Sequence, residues 1–169
     1  MNGSTYPTRA DLEALGTVLL RTASPTFEDE NGHVNVRHHF GLLMEGTEAA
    51  FRDLGLTPDW IERTGQSTFS IAHHLQFHSE ILVGHELSLH HRILGRSGKV
   101  IHAMAILFNV TNDRVASTAE YVEAYVDLET RRTTAMPAEL TDAIDARLRE
   151  QGSLAWDLPR SHELATSRH

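Results

Sequence analysis

The segment VIHAMAILFNV, residues 100–110, restricts the fold of this chain more than any other part of the sequence. Both of its alternating sets of side chains are largely apolar, and a strand with that pattern is covered on both faces of its sheet. One cover can be a long helix predicted over Val36–Leu54, which carries apolar residues at helical spacing. The other cover is expected from a second subunit or from the C-terminal segment.

The predicted long helix has about five turns, since an α-helix takes about 3.6 residues for each turn. Gly55 should end this helix, and Pro58 should prevent it from resuming. A helical projection places the following residues on its buried face: Phe40, Leu43, Met44, Thr47, Ala50, Phe51 and Leu54.

Five other segments have the pattern of strands, and the short turns GRSG and TND join the last three into an antiparallel meander. The predicted strands are Val18–Ala23, Ser67–His78, Glu86–Leu94, Lys99–Val110 and Arg114–Asp127. A short helix is predicted at Thr8–Leu15, and Pro137 should open a last helix. The chain is therefore predicted to be α+β, with an N-terminal segment at 1–16, a central domain at 17–136 and a C-terminal helix and tail at 137–169.

Composition narrows the class of protein. The chain has 169 residues, of which 40% are hydrophobic and 22% charged, and this fits a soluble globular domain. The absence of cysteine excludes disulfides, a cysteine nucleophile and thiolate metal sites. The net charge of −8 argues against nucleic acid as a partner. No apolar run reaches the roughly 18 residues that cross a bilayer, so we expect no membrane partner and a cytoplasmic location.

The stretch DENGHVN, residues 29–35, concentrates polar side chains directly before the predicted long helix. A helix N-terminus offers unpaired N–H groups and the positive end of the helix dipole. Asn35 is a plausible N-cap for the helix. Asp29 has two interpretations: it is a reactive acid beside the helix end, or it is an Asx side chain that organises the turn.

The motif D-x-x-G-H-V-N, here Asp29, Gly32, His33, Val34 and Asn35, resembles that of hotdog-fold acyl-CoA thioesterases of the 4-hydroxybenzoyl-CoA thioesterase type. The segments VGHEL and MPAEL extend the resemblance over roughly residues 17–140. ENGHVN followed by a histidine-rich second strand is most similar to thioesterases associated with carnitine and betaine breakdown.

This resemblance implies a hotdog fold, in which an antiparallel sheet wraps around one long central helix. It implies hydrolysis of an acyl-CoA thioester to a carboxylic acid and free CoA, with no cofactor other than the CoA of the substrate. It also implies a homodimer or a dimer of dimers (a homotetramer), with each site at a subunit interface.

For that reaction, the loop supplies the predicted catalytic residues. Asp29 would activate water or attack the carbonyl directly. The amides from Gly32 to Asn35 would form an oxyanion site, and Gly32 would let the carbonyl approach the backbone closely. Asn31 belongs to the same polar loop, His33 is expected chiefly to stabilise the turn, and Asn35 ties the loop to the helix.

A second acid, Glu45, is a candidate for the same task, because another branch of hotdog enzymes uses a glutamate on the long helix. The alternative is that Glu45 points toward solvent and pairs with Arg52.

The histidines are candidates for the acyl pocket rather than for a metal site. His73 or His74 would line that pocket, because the second strand borders the site in similar proteins. His74 and His78 are about 13 Å apart along a regular strand, which is too far for a shared ion. The sequence has no H-E-x-x-H motif either, and no metal is predicted.

Cations near the predicted turns are candidates for binding the phosphates of CoA. Arg92, Arg96 and Lys99 flank the turn GRSG, although they can equally be solvated turn residues. Arg131 and Arg132, after the last strand, are a second candidate patch.

Two other functions remain open from the sequence. A non-catalytic acyl-CoA binding or sensing module would keep the fold and the cations but would not need Asp29. A hotdog hydratase or dehydratase would show a different arrangement of Asp and His on the long helix. Retention of the whole D-x-x-G-H-V-N motif favours the thioesterase.

Overall fold

The computed structural model describes residues 6–154, 156, 160, 161 and 164. The helices are α1 (Arg9–Leu15), α2 (Val36–Asp53), α3 (Pro58–Thr64) and α4 (Ala138–Gln151). The strands are β1 (Leu19–Thr22), β2 (Gln66–Phe77), β3 (Glu86–Arg96), β4 (Val100–Asn109), β5 (Arg114–Asp127) and β6 (Arg132–Thr133).

The strands form one six-stranded sheet with the order β1-β3-β4-β5-β2, and β6 pairs with β5. Every pairing is antiparallel, so the predicted meander of β3, β4 and β5 is confirmed. The sheet curves around α2, which contacts β1, β3, β4 and β5. The predicted α+β class, with an antiparallel sheet around one long helix, is therefore confirmed.

The start of α2 was predicted correctly, and so was most of its buried face, since Leu43, Thr47, Ala50, Phe51 and Leu54 are buried. Asn35 is the N-cap, because its side-chain oxygen accepts the Arg37 N–H at 3.1 Å. Phe40, predicted to be in the core, is 36% exposed. The helix instead approaches the sheet closely at Gly46, where an added Cβ would lie 2.9 Å from Leu89 Cδ2. The residues buried along α2 are His39, Leu42, Leu43, Gly46, Thr47, Ala50 and Phe51.

Pro58 does more than stop α2, since it opens α3, a helix that the sequence analysis did not predict. Proline is favoured in the first turn of a helix because its missing N–H would have no partner there. The Thr57 side chain caps α3 by accepting the Trp60 N–H at 3.2 Å. The Trp60 ring is buried and donates from Nε1 to Tyr125 Oη at 3.1 Å. The short helix is therefore attached to β5 by a buried hydrogen bond.

Strand β4 is covered on both faces, as its sequence predicted, and all ten of its residues are buried. Ile101, Ala103, Ala105 and Leu107 belong to the same apolar cluster as α2. Met104, Ile106 and Phe108, on the opposite face, pack with Leu12 of α1 and with Trp156. The second cover thus includes the C-terminal segment, which was one of the two predicted alternatives. It also includes α1, which was not predicted there.

The C-terminal helix α4 begins after Pro137, as predicted, and it is bound to the edge of β3. The Gln151 side chain accepts the Ile93 N–H at 2.8 Å and donates to the His91 carbonyl at 3.0 Å. Because β1 pairs with β3 only as far as Leu89, this amide group occupies backbone hydrogen-bonding positions that β1 leaves open. The domain boundaries at 16/17 and 136/137 stay a prediction.

No helix within the described ranges is long and apolar enough to span a bilayer.

Candidate active site

Residues 29–35 form a tight loop directly before the N-terminus of α2. Glu28 and Val34 form an isolated antiparallel bridge across its base. The Gly32 N–H donates to the Asp29 carbonyl at 3.0 Å, and the Asp29 N–H donates to the His33 carbonyl at 3.0 Å. Gly32 has φ +79°, which side chains other than glycine rarely adopt. Glycine is therefore needed at this position to close the loop.

The carboxylate of Asp29 is held by the loop on several sides. Oδ1 accepts the Asn31 N–H at 2.9 Å and lies 3.5 Å from His33 Nδ1. Oδ2 accepts one longer hydrogen bond, 3.3 Å, from Asn35 Nδ2. The Asn31 amide in the first place, and then His33 and Asn35, keep the pKa of the Asp29 carboxyl below its ordinary value. The side chain is 16% exposed, so an ionised carboxylate remains accessible from solvent.

Three of the four backbone amides expected to form an oxyanion site have carbonyl partners inside the protein, and the fourth, the His33 N–H, helps to lower the pKa of the Asp29 carboxyl. The N–H groups of Gly32, Val34 and Asn35 donate to the carbonyls of Asp29, Ile81 and Phe27, at 3.0, 2.8 and 2.8 Å. This corrects the expectation for these three amides, which serve to fold the loop.

The next amide along the chain, at Val36, differs from the three amides that are bonded to carbonyls. The Val36 N–H, at the first position of α2, has no acceptor within the described ranges. It belongs to the first turn of an 18-residue helix, where backbone N–H groups lack intrahelical partners. Val36 is 53% exposed and lines a cavity at the surface, so a ligand can approach the start of α2.

A cavity of about 360 Å³ lies between the start of α2 and the end of β2. Asp29 does not line the cavity itself but contacts His33, which does. The cavity combines apolar walls with several polar side chains, which suits an acyl group and its carbonyl. Its lining residues are His33, Val34, Val36, His39, Phe77, His78, Ser79 and Glu80.

His39 is a site residue that the sequence analysis missed. It is 4% exposed, lines the cavity, and has its Nδ1 atom 3.1 Å from Ser117 Oγ on β5. Burial lowers the pKa of His39 to about 4, and nearby His33 adds to this effect. The one signal in the sequence was its position three and seven residues before Leu42 and Gly46, on the buried face of α2.

His73 and His74, predicted as pocket residues, lie on opposite faces of β2. The His73 ring is stacked on Tyr121 at 5.5 Å and meets the edge of Phe40 at 5.4 Å, under α2. Its Nδ1 atom is buried without a hydrogen-bond partner in the described part of the chain. His74 is exposed on the other face. Neither residue lines the cavity beside the loop, and their role in the acyl pocket stays a prediction.

Glu45 lies apart from the loop, on the exposed side of α2. Its Oε2 atom accepts a hydrogen bond from Arg21 Nε on β1 at 2.9 Å. The expected partner, Arg52, instead lies 3.3 Å from Glu48. Glu45 therefore points toward solvent, as one of the two interpretations had it, but it pairs with a different arginine.

The cations that flank the GRSG turn are mostly occupied within the chain. Arg96 makes two hydrogen bonds to Asp145, at 2.7 and 2.5 Å. Arg92 lies over the Trp156 ring at 4.6 Å and donates to the Trp156 carbonyl. Lys99 is exposed and forms no ion pair with any described residue.

This turn lies far from the polar loop of the same chain. The loop is bonded to the start of the β3 region, near Ile81, whereas the turn follows Arg96 at the other end of β3. Ten residues of strand span roughly 30 Å. Arg131 and Arg132 are exposed at this distant end too, beside β6.

Within the described ranges, no three His, Asp or Glu side chains lie together as metal ligands would.

Comparison with known proteins identifies a family. The sequence profile of the thioesterase-like superfamily matches residues 24–144. A bifunctional L-carnitine dehydrogenase/betainyl-CoA thioesterase of Agrobacterium fabrum is 30% identical over 127 residues, which are 75% of this chain and 26% of that protein. A betainyl-CoA thioesterase of Pseudomonas aeruginosa is 23% identical over 122 residues, or 72% of this chain and 77% of that one. The chain thus spans about a quarter of the Agrobacterium protein's length.

Solved structures show the same fold. A hypothetical protein of Staphylococcus aureus in complex with CoA has a TM-score of 0.79 at 21% identity, covering 87% of this chain and 92% of that one. A 1,4-dihydroxy-2-naphthoyl-CoA thioesterase from Synechocystis has a TM-score of 0.67 at 16% identity, covering 75% and 93%. These likenesses confirm the hotdog fold that the motif implied.

Proposed function

The chain belongs to the thioesterase-like superfamily, and from this premise we propose that it hydrolyses an acyl-CoA thioester to a carboxylic acid and free CoA. One observation carries the proposal: the Asp29 carboxylate is fixed in the loop that precedes α2, whose first amide, at Val36, is free beside a cavity. Relatives named as betainyl-CoA thioesterases support the same reaction class and make betainyl-CoA a candidate substrate.

In the proposed reaction, the thioester carbonyl oxygen accepts the Val36 N–H at the positive end of the α2 dipole. Negative charge that develops on this oxygen during attack is stabilised there. Asp29 Oδ2 accepts a 3.3 Å hydrogen bond from Asn35 Nδ2, and a carboxylate oxygen with this one long contact has lone pairs left for chemistry.

The low pKa of Asp29 favours nucleophilic attack over general-base catalysis. A weakly basic carboxylate is a poor proton acceptor at neutral pH but is fully ionised. Its oxygen would bond to the carbonyl carbon and expel the CoA thiolate, leaving a mixed anhydride that water hydrolyses. Acid quenching during turnover should then trap the protein with the mass of one acyl group added. General-base catalysis predicts no such adduct.

We also propose that the active protein is a homodimer, or a dimer of two such dimers, joined along β2. Among the described residues this strand pairs only with β5, which leaves its other edge open, and its exposed side chains include Phe69, Ile71 and Phe77. An open apolar strand edge favours pairing with a second copy. A monomer by light scattering at micromolar concentration, with activity intact, would contradict this assembly.

The same dimer would bring cations to the cavity from the second copy. Antiparallel pairing of two β2 edges places the Gln66 end of one strand beside the Phe77 end of the other. Lys99 lies at the Gln66 end, because the Tyr125 N–H donates to its carbonyl and Tyr125 pairs with Thr68 of β2. We therefore assign the phosphates of CoA to Lys99 and the neighbouring Arg131 and Arg132 of the second copy, and not to Arg92 and Arg96, which are bound to Trp156 and Asp145.

Thiol release from a panel of acyl-CoAs, betainyl-CoA included, tests the function. We expect catalytic release with at least one member and loss of that release in Asp29→Asn. Tight binding of acyl-CoAs without any thiol release would favour the binding or sensing module. Hydration of an enoyl-CoA without thiol release would favour a hydratase.

A further inference from the structure

His39 sits at the wall of the cavity and is not needed to fold the polar loop. It is the fourth residue of α2, one turn from the free Val36 amide, and both residues line the cavity. Its ring meets the edge of Phe77 at a centroid distance of 5.6 Å. Only 4% of the residue is exposed. The imidazole is therefore held between α2 and the sheet with one edge toward the cavity.

Ser117 determines which ring nitrogen carries the proton. Ser117 is completely buried, and its Oγ atom has one partner in the described part of the chain, His39 Nδ1 at 3.1 Å. A buried hydroxyl that did not donate would leave an unsatisfied donor, which is costly. The hydroxyl is therefore assigned as donor to Nδ1, and a neutral ring then carries its proton on Nε2.

The Nε2 atom is the free edge of the ring. No described residue makes a hydrogen bond to it, and the atom is not fully buried. It must therefore be reachable from the cavity. The depressed pKa, about 4, keeps the ring uncharged at neutral pH, so Nε2–H acts as a neutral donor and cannot accept a proton.

We infer that His39 Nε2–H donates a hydrogen bond to the thioester carbonyl oxygen, beside the Val36 N–H, and that Ser117 is a positioning residue that fixes the tautomer. This inference rests on the proposed function, since it names a second donor for the same carbonyl. A buried neutral donor stabilises charge that develops on oxygen without the cost of burying a cation. Ser117 itself cannot be the nucleophile, because it has no exposed surface.

Substitutions that remove or keep the donor test this role. His39→Leu should lower kcat by about 100- to 1,000-fold with KM within about threefold, the range for loss of one oxyanion donor. His39→Gln keeps an N–H group of similar reach and should retain kcat within about tenfold of the wild type. His38→Leu is the matched control, because its ring stacks on Phe27 outside the cavity and kcat should not change. A His39→Leu enzyme with kcat within threefold of the wild type would overturn the inference.

The positioning role of Ser117 has its own readout. In ¹⁵N-labelled wild type, the His39 ring should be the neutral Nε2–H tautomer from pH 5.5 to 8. Ser117→Ala removes the hydroxyl and should shift the ring toward the Nδ1–H tautomer, with kcat lowered about tenfold and KM unchanged. Ser117→Thr keeps the hydroxyl and should restore both. A wild-type Nδ1–H tautomer would contradict the assignment.

A ketone analogue of the substrate, in which CH₂ replaces the thioester sulfur, separates this inference from the proposed function. The infrared carbonyl stretch of the bound ketone should lie below its solution value in the wild type and return toward it in His39→Leu. If the wild type hydrolyses no thioester but shows this difference, the proposed function fails and the His39 contact stands. If thioesters are hydrolysed but the stretch is the same in both proteins, the inference fails alone.

Discussion

Asn35 joins Asp29 to the start of α2: its Nδ2 atom donates to Asp29 Oδ2 at 3.3 Å, while its Oδ1 atom accepts the Arg37 N–H at 3.1 Å. One amide side chain thereby caps the helix and orients the acid. Because both contacts come from the same amide group, a change in its orientation would alter the Asp29 contact and the helix cap together. The position of the proposed nucleophile is thus coupled to the helix that carries the proposed oxyanion donors.

The first prediction concerns Asp29 itself. Asp29→Asn keeps an oxygen for the Asn31 N–H but removes the negative charge and the capacity to attack. We expect kcat to fall by at least about 100-fold in a thiol-release assay. The free energy of unfolding should fall by only about 1 kcal/mol, the net contribution of one hydrogen bond, because the new NH₂ group would face Asn35 Nδ2.

Glu45→Gln is the matched control for that substitution. Glu45 pairs with Arg21 at the exposed side of α2, so kcat should stay within about twofold of the wild type. If Glu45→Gln abolished turnover while Asp29→Asn did not, the helix glutamate and not the loop aspartate would be the catalytic acid.

The second prediction uses the coupling between Asn35 and Asp29. Asp is as good an N-cap as Asn, so Asn35→Asp should leave α2 intact by circular dichroism. It replaces a donor to Asp29 with a second carboxylate, and a neighbouring like charge raises a carboxyl pKa. The acid limb of the kcat/KM profile should therefore move to higher pH by about 1 unit or more. An acid limb at the same pH would show that ionisation of Asp29 does not control the pH dependence of kcat/KM.

The loop and its cap could be predicted from the sequence because their interactions are local. Asp29, Gly32 and Asn35 contact residues a few positions away, so residue type and spacing carry the information. The same is true of the β-meander, in which short turns join neighbouring strands. Predictions of this kind succeed where a contact spans only a few residues.

The parts that the sequence did not reveal depend on distant contacts. His39 is a site residue only because Ser117, 78 positions later, lies opposite it. Glu45 pairs with Arg21 and not with Arg52, since β1 runs beside α2. Gly46 was not predicted on the buried face of α2, because it carries no apolar side chain to mark the closest packing against Leu89. Each of these errors concerns a partner that the helical period cannot supply.

The third prediction concerns acid stability. Burial lowers the pKa of five histidines, to about 4 for His39 and about 3 for His91, with His73, His78 and His90 lowered as well. In the unfolded chain these rings bind protons near pH 6.5, so the unfolded state holds more protons and stability falls as pH drops below 6.5. The free energy of unfolding should be largest near neutral pH.

Thermal midpoints between pH 8 and pH 4.5 measure this effect. His39→Gln removes one such ring and should flatten the decline, since a shift from 6.5 to about 4 corresponds to about 3 kcal/mol at most. Glu123 acts in the opposite direction, because burial raises the pKa of its carboxyl and its stabilisation is lost as pH rises. With five rings against one acid, the net slope should remain positive. A midpoint that rose on acidification would contradict this balance.

The fourth prediction concerns the phosphates of CoA. Lys99→Glu should raise KM for acyl-CoA by about tenfold with kcat nearly unchanged, because such a contact binds substrate and transition state alike. The increase should shrink at high salt. Arg149→Glu makes the same change of charge on the exposed side of α4 and should leave KM within about twofold. Equal effects of the two substitutions would indicate only a general change of surface potential.

The last prediction tests how closely α2 must approach the sheet, and α2 offers its own control. A methyl group at position 46 would lie 2.9 Å from Leu89 Cδ2 and 3.0 Å from Leu89 Cβ, and the latter atom cannot move away by side-chain rotation. Gly41, in the same helix, has nothing within 4 Å of the added atom. Replacing a helical glycine by alanine contributes up to about 1 kcal/mol of stability where there is space. Gly41→Ala should therefore raise the free energy of unfolding by up to about 1 kcal/mol. Gly46→Ala should instead lower it by about 1–2 kcal/mol, because the cost of overpacking exceeds the gain in helix propensity.

Urea denaturation of the two variants measures both changes in stability. Because α2 carries Val36 and His39, Gly46→Ala should also lower kcat, while Gly41→Ala should not. Equal stabilisation by both substitutions would show that the helix can move away from Leu89 without loss.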